Sequence, residues 1–283
     1  MELKLELAKD FRWFLTPLVT GSIFVASPSL AATLASSGGE LTLYNINQIP
    51  QEVTSLTGTN TFATAELGLT TALADAQASF IVNASTAASS NSDSTTFGEG
   101  LIYQGIADSF SQVIGNFFIE ANQFLTLDFA ASLNLEASID TLQSESASAM
   151  GSLSFLLIDS TTQAIYNSFS ILSNLTAQGD DDYLKYQTNG NITLTSNSTA
   201  TSFGGTQEFA NASVEGSLQQ FFTSPTNVTL LAVTTNQASV ASVKTPESSS
   251  PVALLGFLST IGIWLGVKRK LFGAKSKQAS NYS

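Results

Sequence analysis

Between Leu125 and Glu136 the chain alternates without a slip. Leu125, Leu127, Phe129, Ala131, Leu133 and Leu135 fall on one side, and Thr126, Asp128, Ala130, Ser132, Asn134 and Glu136 on the other. A repeat of two puts every second side chain on the same face of an extended strand, so this segment buries an apolar face only as part of a sheet. Antiparallel sheets with one face on a core and the other in water carry this pattern. The device recurs from Ser148 to Leu157, with Ala149, Gly151, Leu153, Phe155 and Leu157 inward, and in Ala76, Ala78, Phe80 and Val82. Further strands are predicted over 41–45, 101–107, 116–121, 165–172, 183–188, 191–196, 210–222 and 228–243. The stretch 63–78 is rich in alanine, which favours helix, but the alternation at its end favours strand.

Turn chemistry separates these segments. Asn189-Gly190 carries the signal of a type I′ hairpin turn, and Gly98-Glu99-Gly100, Gly179-Asp180 and Gly204-Gly205 mark other breaks. The Ser, Thr and Asn of 85–96 predict a loop. About ten strands with few helical patterns predict an all-β fold, an antiparallel β-sandwich of jelly-roll-like type, in one domain over 32–243.

The inventory of reactive side chains excludes much chemistry. The chain has no histidine and no cysteine, so His-based triads, thiolate nucleophiles and His- or Cys-ligated zinc or copper sites are impossible. Disulfides are excluded too, and the domain must rely on its own core. Within 32–246 eighteen carboxylates face only Lys185 and Lys244, a formal charge of −16. Such a surface repels nucleic acid, whose binding needs Lys and Arg against phosphate. Carboxylates are the remaining catalytic groups. Glycosidases need two of them roughly 5 to 10 Å apart, whereas Asp128 and Glu136, the evident same-face pair, stand about 27 Å apart along a strand. No catalytic residue is assigned. The run Asp180-Asp181-Asp182, followed by Tyr183, Lys185 and Tyr186, offers oxygen ligands suited to calcium and rings suited to a sugar. No cofactor is otherwise expected. The mature region has no tryptophan, since Trp13 and Trp264 lie in apolar terminal segments.

Those terminal segments read as addresses. Lys4, Lys9 and Arg12 precede an apolar stretch from Trp13 to Ala26 and the small-residue run Ser27-Pro28-Ser29-Leu30-Ala31-Ala32. These are the three parts of a secretory signal over 1–31, with cleavage predicted between Ala31 and Ala32, Ser29 and Ala31 supplying the small side chains that signal peptidase accepts. At the other end Thr245-Pro246-Glu247-Ser248 is followed by an apolar run and then Lys268-Arg269-Lys270. Sixteen helical residues span roughly 24 Å, a little short of a hydrocarbon core of roughly 30 Å. Flanking serines and snorkelling Lys268 and Arg269 make up the difference, with the basic end cytoplasmic.

This terminus resembles the PEP-CTERM sorting domains of exported bacterial proteins. Pro246 and Glu247 fit the signature dipeptide, with Ser248 in place of the second proline. Leu254 to Val267 fit the hydrophobic helix, and Lys268, Arg269 and Lys270 the basic stop. The resemblance covers about 245–270 and implies recognition by an exosortase, a membrane cysteine protease-transpeptidase, with cleavage near the dipeptide. The organisation expected is a signal peptide over 1–31, the β domain over 32–243, a sorting segment over 244–270 with a transmembrane helix at 251–267, and a cytoplasmic tail over 271–283. The function expected is that of an exported cell-surface or extracellular-matrix protein with a structural or adhesive, non-catalytic role. Its partners are signal peptidase and exosortase during processing, the membrane before it, and extracellular polysaccharide after it. A calcium-assisted carbohydrate-binding module and a carboxylate-based hydrolase are the alternative functions.

Overall fold

The computed structural model describes residues 32–83, 86–140 and 144–242. The signal segment, the sorting motif at Pro246 to Ser248, the segment 251–267 and Lys268 to Lys270 lie outside the described residues. Among the described residues every regular element is a strand: β1 (Ala32–Ile46), β2 (Glu52–Ile81), β3 (Thr86–Ile119), β4 (Gln123–Ser138), β5 (Glu145–Asp159), β6 (Ile165–Thr176), β7 (Tyr183–Asn189), β8 (Ile192–Ser202), β9 (Gln207–Phe222) and β10 (Thr226–Ser242). All pairings are antiparallel and join the strands in the order β7-β6-β5-β10-β3-β1-β4-β9-β8, with β2 on the free side of β3. The protein is therefore all-β, a single antiparallel sheet curled into a nearly closed, barrel-like shell.

The long hairpin β2–β3 produces the curl. The first part of β3 pairs with β1 and its second part with β10, while β2 follows it along nearly its whole length. Midway the register slips between Ala65 and Gly68, opposite Gly100 to Tyr103. Gly100 adopts φ +117°, which side-chain-bearing residues rarely take, and a Cβ on Gly68 would lie 2.2 Å from the Glu99 carbonyl oxygen. Both strands fold over here. One wall of the shell holds the second part of β3 with β10, β5, β6 and β7, and the other holds its first part with β1, β4, β9 and β8.

The walls face each other through the apolar side of β4, Leu125 to Leu135, and its counterparts on β5 and β6. Phe129 of β4 lies 5.0 Å from Phe155 of β5 and 4.7 Å from Phe169 of β6, centroid to centroid, although β4 pairs with neither strand. Leu125, Leu127, Leu133 and Leu135 are buried beside it. Gly216 is the register partner of Phe129 on β9, and a Cβ there would stand 2.7 Å from the ring, so the glycine leaves room for it.

Two expectations from sequence need correction. Residues 86–96 are not a loop but the start of β3, because Ser90, Ser92, Ser94 and Thr96 are the inward side chains. They form a polar interior where β1, β3 and β10 meet. Ser90 hydrogen-bonds Ser111 and Thr234, Ser94 lies 2.9 Å from the Ser109 hydroxyl, and Asn236 Nδ2 donates to the Ser92 carbonyl and hydroxyl, each at 2.7 Å. Ser37 on the opposite wall donates to Asn236 Oδ1 at 2.6 Å and to the Met150 carbonyl at 2.8 Å. Asn189-Gly190, in turn, does not make a hairpin. Gly190 has the expected positive φ (+83°), but β7 pairs with β6 and β8 with β9, so the turn carries the chain from one wall to the other. The segment 63–78 lies in β2, a strand as its alternation indicates.

From Glu52 to Leu69, β2 is exposed on both faces, with Leu56, Phe62, Leu67 and Leu69 about half exposed.

Candidate functional site

The registers gather ten strand ends or bends at one pole of the shell. Ala32 of β1 sits opposite Glu99 at the bend of β3, Leu34 opposite Ser138 near the end of β4, and Ser138 opposite Gln207 at the start of β9. Ser242, the last residue of β10, lies between Tyr103 and Glu145, the first residue of β5. Asn174 near the end of β6 pairs with Tyr183 of β7. The first and last strands of the domain thus begin and end side by side at this pole.

The pole is acidic, with Glu99, Asp140, Glu145, Asp180, Asp181, Asp182 and Glu208. Its centre is a chain of hydrogen bonds. The Ala32 backbone nitrogen donates to Asp140 Oδ2 at 2.8 Å, and the Asp140 N–H donates to Glu145 Oε2 at 2.9 Å. The Tyr103 hydroxyl reaches Glu145 Oε1 at 3.4 Å and pairs with the Thr33 hydroxyl. Burial, opposed by the Thr33 hydrogen bond and reinforced by Glu145 and Asp140, pushes the Tyr103 phenol up to about 12. It is therefore a neutral donor at every physiological pH. The Ser242 hydroxyl donates to the Leu101 carbonyl at 3.2 Å and holds the departing chain against the same bend.

A second acidic feature joins two turns. Glu208 is 1% exposed, and neither of its carboxylate oxygens makes a hydrogen bond of good geometry. The Asp182 carboxyl and the backbone N–H groups of Gly204 and Gln178 surround it. Burial first, and then the negative charge of Asp182, push Glu208 up to about 7. Sequence inspection missed this pair because 26 residues separate its members along the chain.

Of the residues singled out from sequence, Asp182 Oδ1 accepts the Thr176 backbone N–H at 2.8 Å, and the Asp181 carbonyl accepts from Asn174 Nδ2 at 3.3 Å. Among the described residues no three acidic side chains converge in a way suited to a metal ion. Lys185 lies over the Tyr183 ring, 5.1 Å from its centroid. Asp128 accepts from Asn45 Nδ2 at 2.7 Å and remains eight residues along β4 from Glu136. One acidic pair on a wall is instead cross-strand. Asp75 is the register partner of Asp93, whose carboxyl is raised by burial and then by the charges of Asp75 and Glu40.

At the opposite pole Phe124 and Phe221, each 41% exposed, pack with ring centroids 4.8 Å apart. They line an open cleft of about 360 Å³ with Asn191, Ile192, Thr193 and Gln219. No sequence signal marks this cleft, since the two phenylalanines meet only through the β4–β9 register. Neither a protein-family model, nor a curated protein, nor a solved structure matches this chain.

Proposed function

We propose that this chain is an exported cell-surface or extracellular-matrix protein, processed by signal peptidase and sorted by exosortase, with a structural or adhesive role and no catalysis. The observation that supports this reading is the convergence of Ala32 and Ser242 at one pole. Segments attached before β1 and after β10 both leave from that end, which suits a module held to a membrane or matrix through its termini with the far pole presented outward. The two walls exchange the chain at β1–β2, β3–β4, β4–β5, β7–β8 and β9–β10, which favours a β-sandwich of jelly-roll-like type. The transmembrane helix at 251–267 and the basic stop at Lys268 to Lys270 complete the proposal, on the strength of the sequence. Mass spectrometry of both ends of the protein recovered from its producing cell tests it. The expected product begins at Ala32 and lacks everything beyond about Glu247. A protein found in the cytosol with Met1 attached refutes export, and a surface protein ending at Ser283 replaces sorting with a retained anchor.

The carbohydrate-binding reading has its own support in the cleft at the far pole. Two half-exposed aromatic rings, tilted 47° to each other and flanked by amides and a hydroxyl, suit the apolar faces and hydroxyls of a sugar. Retardation of the protein in a gel containing the surface polysaccharide, relieved by Phe124→Ala or Phe221→Ala, is the expected result. Unchanged migration of the wild-type protein overturns this reading.

A further inference from the structure

We propose that the α-amino group of Ala32, freed by signal peptidase, is a structural cation of the acidic pole and is held by the carboxylate of Asp140. This rests on the processing reading above. Hydrolysis of the Ala31–Ala32 peptide bond consumes one water. The new carboxyl group remains on Ala31, and Ala32 keeps the nitrogen, which takes up a proton below its pKa to become an ammonium.

The receptor for that ammonium is already built. Ala32 N stands 2.8 Å from Asp140 Oδ2. Asp140 is steadied by its own N–H on Glu145 Oε2, Glu145 by the Tyr103 hydroxyl, and Tyr103 by Thr33, the residue next to Ala32. The hydrogen bonds thus return to the strand from which they started. As an amide, Ala32 N donates one hydrogen bond to the carboxylate, assisted by the charge of the acceptor alone. As an ammonium it donates up to three and carries a full positive charge, which makes the same contact an ion pair.

The surrounding charges favour the ammonium. Asp140 follows β4, Glu145 opens β5, Glu99 is the register partner of Ala32 on β3, and Tyr103 stays neutral. Asp182 and Glu208 lie across the same pole. Among the described residues Lys185 is the one cationic side chain, and it lies over Tyr183. The cut therefore converts a neutral donor into a counter-ion for a pole rich in carboxylates, so that maturation consolidates the start of β1.

The test uses the exported full chain. Its α-amino group is labelled by reductive methylation with ¹³C-formaldehyde and titrated by NMR beside a peptide of sequence Ala32–Ser36 labelled in the same way. The amine should titrate about half to one pH unit above the peptide, and Asp140→Asn should return it to the peptide value. Asp140→Asn should also lower the melting temperature more in the cleaved protein than in a Ser29→Leu/Ala31→Gln precursor that resists the cut. An amine at Ala32 that titrates like the peptide overturns the ion pair and leaves processing intact. A first residue other than Ala32 overturns the processing reading itself, and the ion pair with it. The wild-type titration decides the matter even if Asp140→Asn fails to fold.

Discussion

Asn236→Leu probes the polar interior most directly. Asn236 is 3% exposed and takes part in three side-chain hydrogen bonds: its amide nitrogen donates to the carbonyl and hydroxyl of Ser92, and its oxygen accepts from Ser37. Leucine has nearly the same shape, so little cavity forms, and the cost is that of the lost bonds. At about 1 kcal/mol net for each, with the Ser37 and Ser92 hydroxyls left buried beside a methyl group, the substitution should cost about 2–4 kcal/mol. Removing the two hydroxyls should give part of that back, because the Ser92 hydroxyl is no longer left beside a methyl group, while the Ser37 hydroxyl, which keeps the Met150 carbonyl at 2.8 Å, contributes little. The triple variant Ser37→Ala/Ser92→Ala/Asn236→Leu is expected to lie within about 1–2 kcal/mol of wild type. Guanidinium unfolding followed by circular dichroism measures both, with a changed midpoint and an unchanged slope expected. A neutral Asn236→Leu, or a triple variant less stable than the single one, would refute the reasoning that these hydroxyls form one satisfied network.

Phe129→Ala should cost about 3–5 kcal/mol, since a fully buried ring in contact with Phe155 and Phe169 is lost. Gly216→Ala should cost about 1–3 kcal/mol by pressing a methyl group on the Thr193 carbonyl oxygen, 2.6 Å away, and on the same ring. Combined with Phe129→Ala it should cost less than the sum, a coupling that calorimetric melting of the four proteins reveals. Glu208 gives a pH dependence of definite sign. Its folded value of about 7 lies above the ordinary 4.5, so the folded state holds the extra proton. Its stabilising contribution is complete below about 4.5 and is lost as the pH rises through about 7, by at most about 3 kcal/mol. Glu208→Gln should therefore match wild type at pH 4 and exceed it at pH 8 in denaturant midpoint. A deficit at pH 8 would show that the ionised carboxylate is the stabilising form.

Sequence made β4, β5 and β10 legible because their inward residues are apolar, and a period of two in hydrophobicity then marks the buried face. The start of β3 obeys the same geometry with hydroxyls in place of methyl groups. Alternation among Ser90, Ser92 and Ser94 leaves no trace in hydrophobicity, and its meaning depends on partners more than a hundred residues away, such as Thr234 and Asn236. Asn189-Gly190 reported its local requirement truthfully, a positive φ, but which strands pair across a turn is decided by the whole sheet. The acidic pole was invisible for a similar reason. Asp140, Glu145 and Tyr103 meet Ala32 and Thr33 only after four registers are fixed, and a list of carboxylates does not specify which of them converge.

The position of β10 has a consequence for how the molecule is made. This strand, complete only at Ser242, is inserted between β5 and β3 near the middle of its wall. During synthesis from the amino end, β5 has no neighbour on that side until residues 226–242 arrive, and β3 waits for its partner across more than a hundred intervening residues. Pairings so distant along the chain are slow to close. The shell therefore has a keystone that is set last, and until it is set the inner edges of β3 and β5 stay open to any chaperone present.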